Sequence, residues 1–315
     1  MGRKITVIGA GSVGSTITYT LAVDKIASEI VMIDVNEEKA LGEAMDILQG
    51  MPFSSPTNIY AGDYSDAAGS DIVIITCGIA RKAGQSRIDL AQTNVNIIKQ
   101  ITPEIAKYAP DAIYIVVSNP VDILTYVFMR VSGIPEKHII GSGTILDTSR
   151  LRSRIAEYVG ISEQNIHAYV LGEHGDSSFV PWSIAQVGCV NLFDYRKDFH
   201  FYDSLRPELD TDEIEDYIRT SGGQIIKRKG ATFYAVSISV CHIVKCLLGS
   251  ANNALTVSSM MHGEYDIEDV CLSIPFIIGP HGVSGHLLPN LTGSEIGKLQ
   301  NSANVLKNVI RQVDI

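Results

Sequence analysis

Gly9-Ala10-Gly11-Ser12-Val13-Gly14 ends a short apolar run that begins at Ile5, and it opens a segment of helical pattern. Each glycine in G-x-G-x-x-G has its own task. Gly9 permits the tight turn, Gly11 lets the backbone approach a pyrophosphate, and Gly14 lets helix and strand pack closely. The positive end of the helix then faces the diphosphate. Asp34 follows Gly14 at the spacing of about 20 residues expected for an acid at the end of the second strand. A carboxylate there accepts hydrogen bonds from ribose hydroxyls and repels a 2′-phosphate, which favours NAD over NADP. A lone Gly-rich turn would be weak evidence. The strand before it, the helix after it and the acid beyond it make the dinucleotide reading specific.

The same alternation continues outward from the glycine turn. Runs 5–9, 29–34, 58–61, 71–77, 113–117 and 138–141 are nearly continuous in apolar residues, as parallel strands covered on both faces must be. Between them 12–23, 38–49, 87–109 and 121–131 read as helices, with Pro103 expected to break or restart the third. This predicts an α/β fold, a doubly wound parallel sheet of Rossmann type over 1–145. Beyond residue 146 helices dominate, joined by an antiparallel hairpin near 255–261 and 270–277 turned at Gly263, and by a terminal helix over 293–312. That half, 146–315, reads as an α+β substrate domain.

The bulk numbers agree with two domains: 315 residues, 45% hydrophobic and 19% charged. A net charge of −10 argues against nucleic acid and anionic membranes as partners. Five scattered cysteines form no C-x-x-C pair, which suits a reducing compartment. The first residues lack a signal-peptide pattern, and no run approaches the ~18 apolar residues of a membrane helix. The expected location is the cytoplasm. No Cys–His cluster is evident, and His281 and His286 stand five apart, so no metal is expected. None of the thirteen tyrosines has Lys four residues on, which disfavours the short-chain dehydrogenases.

Chemistry is expected from His174 in Gly172-Glu173-His174-Gly175-Asp176, Asp147 and Arg150 in Leu146-Asp147-Thr148-Ser149-Arg150, and Arg87 after the loop that follows Cys77. Hydride reduction of a carbonyl needs a proton donor, a cation for an acid's carboxylate and exclusion of water. His174, lying between glycines past an apolar run, is expected exposed at a strand end. Taken singly, each residue has a bland use: a structural histidine, a helix cap at Asp147, a surface arginine.

Over essentially its whole length the chain resembles the L-lactate/malate dehydrogenase family. The resemblance rests on Gly9–Gly14, Asp34, the loop from Gly78 to Arg87, Ser118-Asn119-Pro120-Val121-Asp122, Gly143 to Arg150, Gly172 to Asp176 and Lys229-Gly230-Ala231-Thr232. It implies that His174 donates and accepts the proton and that Asp147 orients it. It also implies that Arg150 clamps the C1 carboxylate and that Arg87 polarises the C2 carbonyl. Asn119, with a cis bond to Pro120, would contact the same oxygen or the nicotinamide ribose, and Thr232 would line the pocket. Gly9, Gly11, Val13, Gly14, Asp34 and Asn119 would hold NAD. The loop from Gly78 to Arg87 reads as a hinged lid. A homotetramer, or otherwise a dimer, is implied.

In that family the Arg81 position separates substrates, with Gln usual in lactate enzymes and Arg in malate enzymes. A second substrate carboxylate needs a cation, and an uncompensated buried charge costs about 3–5 kcal/mol, or two to four decades in rate. Arg81 therefore predicts malate/oxaloacetate, with lactate/pyruvate as the alternative, because the frame around His174, Asp147 and Thr232 looks like the lactate branch. Arg152 and His167 match the positions by which bacterial lactate enzymes bind a sugar bisphosphate between subunits, an anion site weighed against a surface Arg and an interface His. Two other classes share a dinucleotide turn: an NAD- and metal-dependent glycosidase, and a non-catalytic NAD-binding protein. The latter would have no reason to keep His174, Asp147, Arg87 and Arg150 together.

Overall fold

The computed structural model describes residues 2–54, 56–79, 87–198 and 209–315, with the backbone alone at 87 and 196–198. Its first half runs β1 (Lys4–Ile8), α1 (Ser12–Val23), β2 (Glu29–Ile33), α2 (Glu37–Gly50), β3 (Asn58–Ala61), β4 (Ile72–Ile75), α3 (Arg87–Tyr108), β5 (Ile113–Val116), α4 (Val121–Ser132) and β6 (Ile139–Gly141). These six strands are parallel and lie in the order β3-β2-β1-β4-β5-β6. Their Ile and Val side chains are almost wholly buried, because helices cover both faces of the sheet. The order reverses between β1 and β4, and ligands of open α/β sheets bind in the crevice at the carboxyl ends of such strands.

The second half runs α5 (Ile145–Val159), β7 (Ile166–His167), β8 (Gln186–Val187), β9 (Val190–Asn191), α6 (Leu192–Asp198), α7 (Thr211–Lys229), α8 (Tyr234–Leu248), β10 (Asn253–His262), β11 (Glu268–Gly279), β12 (Gly282–His286) and α9 (Gly293–Ile310). The expected hairpin is β10–β11, turned at Gly263 with φ 120°. Its place was not expected: β10 pairs antiparallel with β6 at Ser258 and Gly141, so β10–β12 extend the parallel sheet to nine strands. The contact is close, since a Cβ on Gly141 would lie 2.3 Å from Thr125 Oγ1 and 2.9 Å from Ser258 Cβ. A separate small sheet, β7-β8-β9, packs with α5 and α7 around Leu151, Ile155, Val187 and Ile218.

Helix ends follow capping chemistry. Asn36 accepts the Lys39 amide at 3.1 Å before α2, Asp210 caps α7, and Thr292 and Glu295 form a capping box on α9. The expected break at Pro103 does not occur, and α3 runs through it unbroken. Pro103 is exposed, while Ile98, Ile101 and Ile105 on the other side are buried and pin the helix to the sheet. Thr102 Oγ1 donates to the Ile98 carbonyl at 2.6 Å within the same turn. No described helix is long and apolar enough to cross a membrane.

Candidate active site

The glycine turn shows why its sequence is constrained. A Cβ on Gly14 would sit 1.8 Å from the Gly9 carbonyl oxygen, and Gly9 has φ +105°. At Gly11, by contrast, a Cβ would meet nothing within 4 Å among the described residues, leaving open space above the N-terminus of α1. Such a cradle fits a diphosphate approaching the backbone. Asp34 stands at the end of β2 beside it. Its Oδ2 accepts the Ala10 amide at 2.6 Å and its Oδ1 the Asn36 amide at 2.9 Å, so the carboxylate is held at the rim of the turn.

A cleft of about 500 Å³ opens at the carboxyl ends of the strands. It gathers Val13 from α1, Asn119 from the turn after β5, Asp147 and Arg150 from α5, His174 from the 172–176 loop and Thr232 before α8. The Asn119–Pro120 bond is cis, as the resemblance implies. Arg81 lies outside the described residues. Arg87 begins α3, but its side chain lies outside them too.

His174 is partly buried at 27% exposure, not exposed as expected, because its loop is sewn into the second half. Gly172 pairs with Ser273 of β11 through two 2.9 Å backbone hydrogen bonds, and Leu171 pairs with Phe179. The Glu173 amide donates to Ser302 Oγ at 2.8 Å, and the His174 amide donates to Asp122 Oδ2 at 2.7 Å. The imidazole meets Asp147: Nδ1 to Oδ2 is 2.6 Å. Asp147 Oδ1 accepts Arg150 Nη1 at 2.8 Å. Asp147 is therefore no helix cap, since both its oxygens serve side chains in the cleft.

The charges reinforce one another. The Asp147 carboxylate raises His174 to about 9, against the opposing effect of burial. Burial alone would raise Asp147, but His174 and Arg150 outweigh it and hold the carboxyl below its ordinary range. The imidazole is thus a cation near neutrality, held at Nδ1, and among the described residues its Nε2 has no hydrogen-bond partner. Arg150, 15% exposed, keeps its other guanidinium nitrogen on the side of α7, where a Cβ on Gly222 would lie 3.8 Å from Nη2.

Several lining residues were not singled out from the sequence. Ile218, Arg219, Gly222, Gly223 and Ile226 present one face of α7 to the cleft. Two adjacent glycines inside a helical pattern were the available signal. Asn94 is the other omission. It is buried in α3, accepts the Ile79 amide at 2.8 Å and donates to the Asn119 carbonyl at 2.7 Å, tying the two loops of the crevice together.

The expected anion residues, Arg152 and His167, are not brought to this cleft. Arg152 donates to the Ala168 carbonyl at 3.1 Å, stacks over Tyr169 and lines a separate cavity of about 340 Å³ with His242. His167 lies exposed on β7, paired with Gln186, and is not among the lining residues of that cavity.

Comparison with known proteins matches this arrangement over nearly the whole chain. Residues 3–141 match the family model described as lactate/malate dehydrogenase, NAD binding domain, and 144–314 the one described as lactate/malate dehydrogenase, alpha/beta C-terminal domain. L-lactate dehydrogenase of Acetivibrio thermocellus is 46% identical over 313 residues, covering 99% of this chain and 98% of the relative. L-lactate dehydrogenase of Clostridium botulinum strain Langeland is 44% identical over 309 residues, covering 98% and 96%. The crystal structure of minor L-lactate dehydrogenase from Enterococcus mundtii, in a ligands-bound form, superposes with a TM-score of 0.94 at 37% identity, covering 100% of this chain and 99% of that one. These relatives carry lactate names, so the malate expectation drawn from Arg81 finds no support among them. With a dinucleotide turn, a histidine–carboxylate pair and matching models for both halves, the chain belongs to the lactate/malate dehydrogenase family, enzymes that act on a CH–OH group with NAD.

Proposed function

We propose that the protein is an L-lactate dehydrogenase, interconverting lactate and pyruvate with NAD. The observation that carries this reading is the Asp147–His174–Arg150 set, a proton donor and a carboxylate-binding cation side by side in the crevice. The lactate names of full-length relatives support the choice of acid.

In keto acid reduction Arg150 pairs with the substrate carboxylate through the nitrogens that Asp147 does not use. His174 gives its Nε2 proton to the C2 oxygen as negative charge develops there. Asp147 keeps the imidazole in one orientation and stabilises its cation. Asn119 and Thr232 line the space around the acid, and Arg87 at the head of α3 polarises the C2 carbonyl. When bound in its reduced form, NAD supplies the hydride to C2. The oxidation runs through the same groups in reverse, with neutral His174 taking the hydroxyl proton. The unpaired cysteines fit a reducing compartment such as the cytoplasm. The exposed apolar side chains Tyr19, Val23, Leu41 and Met45 on α1 and α2 fit a homo-oligomer, a tetramer or otherwise a dimer. On the same reading Arg152 and His167 form an anion-responsive pair, which a sugar bisphosphate titration of KM tests.

Malate is the second reading, favoured by Arg81 alone. Steady-state reduction of pyruvate and of oxaloacetate with NADH decides between them. The lactate reading expects kcat/KM for pyruvate to be the higher. A preference for oxaloacetate of about tenfold or more, reversed by Arg81→Gln, transfers the assignment to malate. Reduction of neither acid removes both.

A further inference from the structure

Arg154 of α5 joins a set of side chains that the mechanism above does not use. Its Nη2 donates to Glu213 Oε1 of α7 at 2.7 Å, and its Nη1 pairs with Glu157 within α5. The Tyr158 hydroxyl of α5 donates to the other Glu213 oxygen at 2.9 Å. The guanidinium lies 5.1 Å from the ring centre of Tyr158 and 5.2 Å from that of Tyr217 on α7. One cation thus draws together side chains of both helices. Glu213 is itself fixed at the start of α7, where its amide donates to Asp210 Oδ1 at 3.0 Å. Its carboxyl is held below the ordinary range, first of all by Arg154.

Apolar burial already presses α5 and α7 together through Leu151, Ile155, Ile214 and Ile218. That attraction is non-directional and sets the axial register of the two helices only weakly. A guanidinium forked between fixed acceptors sets a position as well as an attraction. A lone ion pair near solvent contributes little, whereas charges and rings that order one another hold a geometry. The position matters because of what stands one turn away. Arg150 and Arg154 share a face of α5 at i, i+4 spacing, and Ile218 and Gly222 share a face of α7 in the same way. Arg150, Ile218 and Gly222 all line the cleft, and a Cβ on Gly222 would lie 3.8 Å from Arg150 Nη2. A slide of α7 by one residue is about 1.5 Å, enough to change the space between that face and Arg150.

We propose that Arg154 is a positioning residue for substrate specificity. Its joint with Glu213 and Tyr217 fixes α7 in register on α5, and so sets the room that a 2-keto acid held by Arg150 has against Ile218 and Gly222. Arg154 touches neither substrate nor cofactor, and acts through the placement of one helix on the other. This inference rests on the proposed reading that Arg150 binds the keto acid.

The test is steady-state reduction with NADH by the full-length protein. Two acids are compared: the one the wild type prefers, pyruvate or oxaloacetate, and the larger 4-methyl-2-oxopentanoate. Arg154→Met removes the fork and keeps an apolar stem. KM for the preferred acid should rise roughly threefold to tenfold with kcat changing less, and the ratio of kcat/KM for the two acids should shift by about threefold or more. Glu213→Gln should move the ratio the same way, and the double variant should go little beyond either single one. Glu157→Gln breaks only the bond within α5 and should leave the ratio at its wild-type value. An Arg154→Met enzyme with a lower Tm but unmoved KM values and ratio makes the joint a structural clamp and overturns the proposal. A Glu157→Gln enzyme whose ratio moves as far overturns it too. Should Arg154→Met not fold, an unaltered ratio in Glu213→Gln overturns it alone. A wild type that reduces no 2-keto acid removes the dehydrogenase reading and this inference with it, whereas an active wild type with an unmoved variant ratio removes the inference only.

Discussion

Asp147 Oδ2 lies 2.6 Å from His174 Nδ1 while Asp147 Oδ1 lies 2.8 Å from Arg150 Nη1, so one carboxylate holds both an imidazole and a guanidinium in the cleft. His174 and Asp147 are 27 residues apart, and Arg150 stands one turn beyond Asp147 on α5. The helix fixes the spacing of Asp147 and Arg150, and the shared carboxylate carries that spacing across to the imidazole of the 172–176 loop.

The first prediction concerns pH. With His174 raised to about 9 by Asp147, its cation persists through neutrality. With His174 as the proposed proton donor, keto acid reduction draws on that cation, so kcat/KM should be flat below this region and fall as pH rises through about 9. Oxidation of the hydroxy acid needs the neutral imidazole and should rise over the same range. The sign for stability follows from the same shift. The pair's contribution is fully present below the ordinary value of 6.5 and fades as pH rises through about 9. Asp147→Asn should move the midpoint back toward 6.5 and lower kcat/KM by about 10²–10⁴-fold. Full pH–rate profiles of both directions check this, and an unmoved limb in the variant would reject the pairing as its cause.

Arg150→Lys should raise KM for the keto acid far more than it changes thermal stability. Lysine keeps the charge but cannot hold Asp147 and present two further donors to a carboxylate. Losing one charge-assisted hydrogen bond of about 1.5–3 kcal/mol corresponds to a roughly 10- to 150-fold fall in kcat/KM. Steady-state kinetics with a melting curve separate the two effects.

Gly222 and Gly223 should trade stability against space. They sit inside α7 on the cleft-facing side, and among the described residues nothing lies within 4 Å of a Cβ on Gly223. Glycine inside a helix costs about 0.5–1 kcal/mol relative to alanine. Gly223→Ala should therefore raise stability by about that amount. Gly222→Leu, grown toward Arg150, should raise KM for any keto acid by about tenfold or more. Denaturation curves and Michaelis constants for the two variants check both arms; a Gly222→Leu enzyme with unaltered KM would remove α7 from the substrate pocket.

The dinucleotide half was legible from residue 9 outward, because its signals are local. Gly9 and Gly14 are required by backbone geometry within one turn, Asp34 by its place at a strand end, and the parallel strands by unbroken apolar runs. The roles of His174, Asp147 and Arg150 could be assigned only by resemblance. No local pattern says that a loop after residue 171 folds onto a helix begun at 145. Pro103 reads as a break from sequence but is not one in the fold: burial of Ile98, Ile101 and Ile105 outweighs one missing hydrogen bond, and burial is a property of the packed molecule. Only tertiary packing decided that β10 joins β6 and that Asp122 of α4 meets the His174 amide. It also decided that Gly222 of α7 faces Arg150. Periodicity records which face of an element is buried, whereas which elements face one another depends on close packing across the whole chain.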